Sequence, residues 1–368
     1  MRFRCEKDAL AEALGTASRP ASGSRGSHLA VLSGVRMELS GSELRLTGTD
    51  LELTMSAIIE VRGEEDGKAV VTAKLVNDIV RSLDAGAVDV VTTDTDMRIT
   101  SGRSEFTLNL FPAEEWPQVA EPTGESVELD GASLADGLSQ VVKAASKDDS
   151  RSPVLTGVLL SAEAGGLRLV STDSYRLAVR DLPGTSVLEE GQSVLIPSRA
   201  LAELQRLLAG SEQVTLTLSE HDASFHTGNA RLTTRLIGGA FPDYKALIPQ
   251  SQPNRLSVGR TELMEAVKRV RIMADDVEST PVKLDMSVDS LGLTAVNRKS
   301  GEAHETIDAK YEGEEMQVSF NPRFLYEGLE VTPGDEVTLE TTNASKPALL
   351  RSVESPEFVY LLMPVRNP

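Results

Sequence analysis

Internal repetition constrains this chain more than any single residue does. Residues 32–53 read LSGVRMELSGSELRLTGTDLEL, residues 155–177 read LTGVLLSAEAGGLRLVSTDSYRL, and residues 281–298 read PVKLDMSVDSLGLTAVNR. Val35, Val158 and Val282 are equivalent points, 123 and 124 residues apart. A fixed period of that length means one structural unit used three times. Each unit is large enough for a core of its own. The repetition therefore implies three tandem domains, at residues 1–120, 127–245 and 254–368, with no separate catalytic domain.

Within each unit the periodicity implies two halves, each a strand, a helix and a run of strands. MRFRCE alternates like a strand, and 7–17 has helical spacing through Leu10, Ala13 and Leu14. Strands are expected at 35–39, 43–49 and 51–61, then at 69–72, 88–92, 97–101 and 105–110. Between them, 74–83 reads as a helix with Leu75, Ile79 and Leu83 on one face. Further helices are expected at 131–146 and 198–209, capped by Ser133 and Ser198 with Gly210 closing the second, and at 260–274, capped by Thr261, and 321–329. Phe111-Pro112, Phe241-Pro242 and Met363-Pro364 each follow a strand, where proline stops the ladder. Linkers are assigned to 112–126 and 242–255. The fold class is α+β: β-α-β-β-β halves giving six helices and six small antiparallel sheets, with paired halves burying their helices together.

Chemistry is sparse. His28, His221, His226 and His304 are scattered without metal-ligand spacing, and neither a phosphate-binding glycine loop nor a nucleophile elbow is present. No metal, cofactor or catalytic residue is expected. Cys5 stands alone in a strand and reads as a buried structural thiol. The nearest approach to an active-site cluster is Ser171-Thr172-Asp173 with Tyr175 and Arg176. Thr49-Asp50 and Val296-Asn297 hold the same place in the other repeats, so this is first a turn in which the acid accepts backbone N–H bonds. With 40% hydrophobic and 25% charged residues, no run of 18 apolar residues and no apolar leader at the start, the chain reads as a cytoplasmic globular protein without a membrane partner.

The net charge of −19 would repel nucleic acid unless basic residues are segregated. The expected helices carry Lys7, Lys74, Arg81, Lys143, Lys147, Arg199, Arg206, Arg260, Lys268, Arg269, Arg271 and Arg323. Gathered on one surface, such residues touch phosphates without reading bases. Their alternative reading is ordinary solvated helix faces.

Three tandem copies of paired β-α-β-β-β halves, basic helices in an acidic chain, and the ordered segments STDSYRLAV, FPDYKALIP, SFNPRFL and YLLMPVR resemble the bacterial DNA polymerase III beta subunit, the sliding-clamp family, over residues 1–366. The resemblance implies a head-to-tail homodimeric ring, helices inside and sheets outside, that encircles double-stranded DNA and confers processivity without catalysis. It implies that Arg25, Lys74, Arg81, Lys143, Lys147, Arg199, Arg206, Lys268 and Arg323 face DNA. It also implies a pocket that receives short linear peptides of the DNA polymerase III alpha subunit, the clamp loader and repair proteins. The matching positions are Leu155, Thr172, Ser174, Tyr175, Arg176, Leu177, Pro242, Leu247, Leu361, Met363, Pro364, Val365 and Arg366, with Arg176 and Arg366 bounding it by charge. Ring closure would set Lys74, Arg103 and Phe106 against Ile272, Met273, Glu302 and Glu305. Two other readings stay open at this point: a duplicated clamp specialised for stress or inhibitor resistance, and a cytoplasmic α/β repeat enzyme centred on Asp173, Tyr175 and Arg176.

Overall fold

The alternating N-terminal stretch is a strand, Arg2–Glu6, which buries Phe3 and Cys5 and runs directly into helix α1, Lys7–Ala21. The computed structural model describes residues 1–21, 29–119, 123–150, 152–163, 165–273, 280–297 and 299–365. Among these the further helices are α2 (Ala73–Ser82), α3 (Gly131–Val141), α4 (Ser198–Leu207), α5 (Arg260–Val270) and α6 (Pro322–Val331). Each follows a short strand, as the half-repeats require. No helix among the described residues is long and apolar enough to cross a membrane.

The helix ends depart from expectation in instructive ways. α3 and α5 tighten into 3₁₀ turns at Val142–Ala144 and Arg271–Met273, so both α-helical spans are shorter than the periodicity suggested. Ser133 and Thr261 lie inside the first turns of α3 and α5, and Ser198 is the first residue of α4. Asn321 is a true cap: its Oδ1 accepts from the N–H groups of Arg323 (2.9 Å) and Phe324 (3.4 Å), while Pro322 occupies the first helical position, where its missing N–H costs nothing. On α2 the buried stripe is Ala73, Val76 and Val80, continued by Leu83; Leu75 is exposed and Ile79 half-buried.

The expected six small sheets merge. The chain divides into two compact units, Met1–Ala132 with Arg206–Leu236 and Ser133–Gln205 with Ile237–Pro368. In the first unit one 13-stranded sheet runs through both halves of the first repeat and on into the middle repeat, because Ala230–Arg235 pairs antiparallel with Leu53–Glu60. The second unit holds a 9-stranded and a 4-stranded sheet. Its larger sheet is joined by Arg176–Pro183 pairing antiparallel with Phe358–Leu362. Edge strands expose unpaired N–H and C=O groups, and pairing across repeats satisfies them.

In the first unit Leu10, Ala13, Leu14 and Ala17 of α1 share a core with Val76 and Val80 of α2 and the inward residues of the strands. Gly48 lies beneath the end of α1, where an added Cβ would stand 1.9 Å from the Ala17 carbonyl oxygen. The matching residue of the middle repeat is Ser171, whose buried hydroxyl donates to the Val141 carbonyl at the end of α3. A small residue is needed wherever a helix end meets this strand.

Candidate functional site

At the same turn of each repeat an acid or amide folds back onto the backbone. Asp50 Oδ1 accepts from the N–H groups of Glu52 (3.1 Å) and Leu53 (2.8 Å), Asp173 Oδ1 from Tyr175 and Arg176 (both 3.0 Å), and Asn297 Oδ1 from Lys299 (2.9 Å) and Ser300 (3.3 Å). The Thr49 and Thr172 hydroxyls each accept an N–H two residues on, at 3.1 Å. Leu51 and Ser174, at φ 78° and 75°, complete a shared left-handed geometry. Backbone closure engages the Thr-Asp pair, so it builds a turn rather than a catalytic centre.

Arg176 distinguishes the middle copy, since Leu53 holds its place in the first. Its side chain is only 2% exposed. Nε donates to Asp173 Oδ2 (3.0 Å), one terminal nitrogen donates to Glu327 and to the Tyr360 hydroxyl (3.2 Å), and the other donates to the Lys143 carbonyl (2.5 Å). The guanidinium also lies 4.4 Å from the centre of the Phe324 ring. Burial pulls its pKa down, but Tyr360, Glu327 and Asp173 outweigh burial and hold it above the ordinary value. Burial likewise pushes the Tyr360 hydroxyl up. Arg176 is therefore not a charged rim: it is a buried knot beneath the sheet.

The other face of these strands is apolar. Leu177 pairs with Thr172 and Leu361, and Leu361 with Leu349. In the next row Val179 pairs with Val170 and Val359, with Leu159 beyond Val170. Buried Tyr244 and half-buried Phe241 and Ile248, from the segment at the second Phe-Pro, pack onto this floor. Tyr360 and Arg176 have the opposite parity and face α6, where Gly328 admits the Tyr360 ring: an added Cβ would stand 2.5 Å from it. A sheet covered by helices on one face normally turns polar residues outward, so a second apolar face sets these strands apart.

Three of the pocket positions assigned from sequence lie in or directly beside this floor. Leu177 and Leu361 belong to it, with Thr172 buried beside Leu177. Tyr175, Leu247, Met363 and Val365 are large exposed hydrophobics, Pro242 and Ser174 are exposed, and Leu155 and Pro364 are half-buried. Met363 N–H bonds the Tyr175 carbonyl (2.8 Å) and Val365 N–H the Ser319 carbonyl (2.7 Å), fastening the tail beside the turn. The Tyr175 ring stacks on Phe324 with centroids 6.3 Å apart. Arg366 lies outside the described residues. Sequence reasoning missed Leu159, Val170, Val179, Tyr244, Leu349 and Val359; the signal was present in LAV and FVYLL, strands without a polar face. At the far end Arg168 binds Asp181 through two contacts of 2.6 and 2.9 Å, and Lys245 binds Glu163 at 2.9 Å.

Among the residues expected to meet DNA, Lys74 and Arg81 on α2 and Arg206 are exposed in the first unit, and Lys143, Lys147, Arg199, Lys268 and Arg323 in the second. Lys143 pairs with Glu330 (2.6 Å), Lys268 with Glu265 (3.4 Å) and Arg323 with Glu327 (3.2 Å). Arg25 lies outside the described residues. Of the residues assigned to ring closure, Arg103 is exposed, Phe106 is half-buried against the core, Ile272 is 78% exposed, Met273 is half-buried and Glu302 is exposed. Glu305 is held by Arg269 through contacts of 2.5 and 3.0 Å, and that guanidinium keeps its carboxyl below the usual range.

Residues 1–120 match the DNA polymerase III beta subunit N-terminal domain, 128–243 its central domain and 245–366 its C-terminal domain. The chain belongs to this family. It is 34% identical to the beta sliding clamp of Streptomyces coelicolor, over 100% of this chain and 99% of that protein. The crystal structure of the Bacillus subtilis DNA polymerase sliding clamp superposes with a TM-score of 0.91 at 28% identity, each chain fully covered. A sliding clamp from Bartonella birtlesii, solved bound to griselimycin, gives 0.93 at 30% identity with both chains fully covered. The fold is thus three clamp domains of mixed α/β build, and the chain is a DNA sliding clamp of bacterial replication, without catalysis of its own.

Proposed function

We propose that two copies of this chain close head to tail into a cytoplasmic ring around duplex DNA, with domains at 1–120, 127–245 and 254–368. Two open strand edges support closure. Among the described residues, Gly301–Asp308 has one neighbour in its sheet and residues 104–109 pair on one side only. Exposed Ile272 beside the first edge and half-buried Phe106 on the second supply apolar contact, with Lys74, Arg103, Met273, Glu302 and Glu305 around them. The exposed basic residues of the helices, with Arg25, would meet phosphates without reading sequence. The apolar floor around Leu177 and Leu361 would receive short linear peptides of the polymerase alpha subunit, the clamp loader and repair proteins.

The observation that carries the docking assignment is the apolar outer face of strands Arg176–Pro183 and Phe358–Leu362. Exposed Met363 suits a site that repacks around several partners. Leu177→Ala with Met363→Ala should abolish binding of a leucine-phenylalanine-ended peptide while sizing still reports a dimer. Unchanged affinity would refute the pocket, and a compact monomer at micromolar concentration would refute the ring.

A further inference from the structure

The buried knot around Arg176 shares its partners with an exposed arginine on α6. Glu327 uses both carboxylate oxygens: Oε2 accepts from the Arg176 guanidinium, and Oε1 accepts from Arg323 Nε at 3.2 Å. The Phe324 ring is divided in the same way, with the Arg176 guanidinium 4.4 Å and the Arg323 guanidinium 5.6 Å from its centre. Two arginines thus draw on one anion and one aromatic ring. Arg176 is 2% exposed, whereas Arg323 is 49% exposed and open to a ligand. From the knot a short run of bonds reaches the docking side. Asp173 holds Arg176 through Oδ2 and the turn through Oδ1, the Tyr175 carbonyl accepts Met363 N–H, and the Tyr175 ring stacks on Phe324. Leu177, at the centre of the apolar floor, is the next residue after Arg176.

We propose that Glu327 is a positioning residue through which duplex DNA, engaging Arg323, tightens peptide docking at the apolar floor. The proposal rests on the reading that Arg323 meets phosphates and that the floor around Leu177 receives peptides. A phosphate suits a guanidinium in charge and in acceptor geometry, so bound DNA draws Arg323 off Glu327. The carboxylate and the ring are then left to Arg176 alone, and the turn that joins Tyr175 to Met363 is held more firmly. The two states differ in one partner of one carboxylate, and that is the differential contact which coupling between two sites requires. Lys143 and Lys268 are placed differently. Lys143 meets the knot through its backbone carbonyl while its ammonium holds Glu330 (2.6 Å), and Lys268 pairs with Glu265. Because an exposed ion pair contributes little, the coupling is limited to roughly two- to fivefold in affinity.

The experiment titrates the full-length chain into a dye-labelled peptide ending in leucine-phenylalanine, with and without a saturating short duplex that carries a second dye. Anisotropy follows each ligand separately. The duplex should lower the peptide Kd by roughly two- to fivefold, and by linkage the peptide should lower the duplex Kd by the same factor. Arg323→Gln should show the tighter peptide Kd without DNA and gain nothing further from the duplex. Glu327→Gln should weaken docking and abolish the response, whereas a purely structural loss would weaken docking and leave the response to duplex in place. Lys143→Gln should weaken duplex binding and keep the response at saturation. Far-UV circular dichroism checks that each variant is folded. The coupling alone is overturned if both ligands bind and neither alters the other, or if folded Arg323→Gln keeps the full response. A duplex that raises the peptide Kd would show competition for one surface and also overturns it. A peptide indifferent to Leu177→Ala with Met363→Ala, or a chain that leaves the duplex unbound, overturns the coupling together with the reading beneath it, so the two failures are distinguishable.

Discussion

Replacing Arg176 by methionine keeps an unbranched apolar stem and removes the guanidinium with its charge, which isolates what that buried group does. Four polar partners lose their donor: Asp173, Glu327, the Tyr360 hydroxyl and the Lys143 carbonyl. Hydrogen bonds to charged groups contribute about 1.5–3 kcal/mol each. The full sum does not apply, because the Asp173 and Glu327 side chains keep 13% and 25% exposure and rehydrate in part. Breaking a buried pair by removing one member costs about 3–5 kcal/mol, and partial rehydration places the expected loss near the lower end. Urea unfolding of the full chain measures it, with hydrogen exchange at the Leu177 amide reporting the local part where unfolding is not two-state. The turn also holds the Tyr175 carbonyl that accepts Met363 N–H, so peptide docking should weaken with it. A double-mutant cycle with Glu327→Gln should show coupling of about 1–3 kcal/mol. Additive effects, or a loss under about 0.5 kcal/mol, would refute the buried knot as a stabilising unit.

Further outcomes follow from single contacts. Gly48→Ala forces a Cβ against the Ala17 carbonyl and should cost about 1–3 kcal/mol, read as a lower urea midpoint; an unchanged midpoint would mean that α1 shifts freely. Burial pushes the Cys5 thiol up to about 12, so iodoacetamide at pH 8 should leave it intact until the chain unfolds. Lys68 holds the Glu38 carboxyl below its ordinary 4.5, so its contribution is in place above that pH and is lost as pH falls through the folded value. Lys68→Met should therefore reduce the fall in urea midpoint below pH 4.5, and an identical acid limb in both proteins would contradict the pairing. Asn321→Ala should cost about 1 kcal/mol by uncapping α6, with Asn321→Asp recovering most of it.

Local features were legible in the sequence to the degree that local physics determines them. The triplicated turn was readable because Asp50, Asp173 and Asn297 act on N–H groups two and three residues away. The merging of sheets was not, because alternation specifies a strand's faces but not its neighbour: nothing near Arg231 says that it will lie opposite Ser56. On α2 both the Leu75-Ile79-Leu83 and the Ala73-Val76-Val80-Leu83 stripes fit helical spacing, and packing against α1 selected the second. Leu177 and Leu361 could be named from the family resemblance, whereas Leu349, Val359 and Tyr244 needed cross-strand register. Arg176 looked like a pocket boundary because its partners Glu327 and Tyr360 are 151 and 184 positions distant.

Those separations impose an order on synthesis. A chain emerging residue by residue has every strand of the 13-stranded sheet in hand once Leu236 has left the ribosome. The 9-stranded sheet must wait until Leu362, because Arg176–Pro183 has its neighbour in Phe358–Leu362. Until that last strand emerges the Arg176 guanidinium lacks Tyr360, and Leu177 and Val179 lack their cross-strand neighbours Leu361 and Val359. Domains generally fold as they emerge, N-terminal first, so pausing between residues 236 and 358 would hold this clamp half-made, with the strand edge at Arg176–Pro183 open to chaperones.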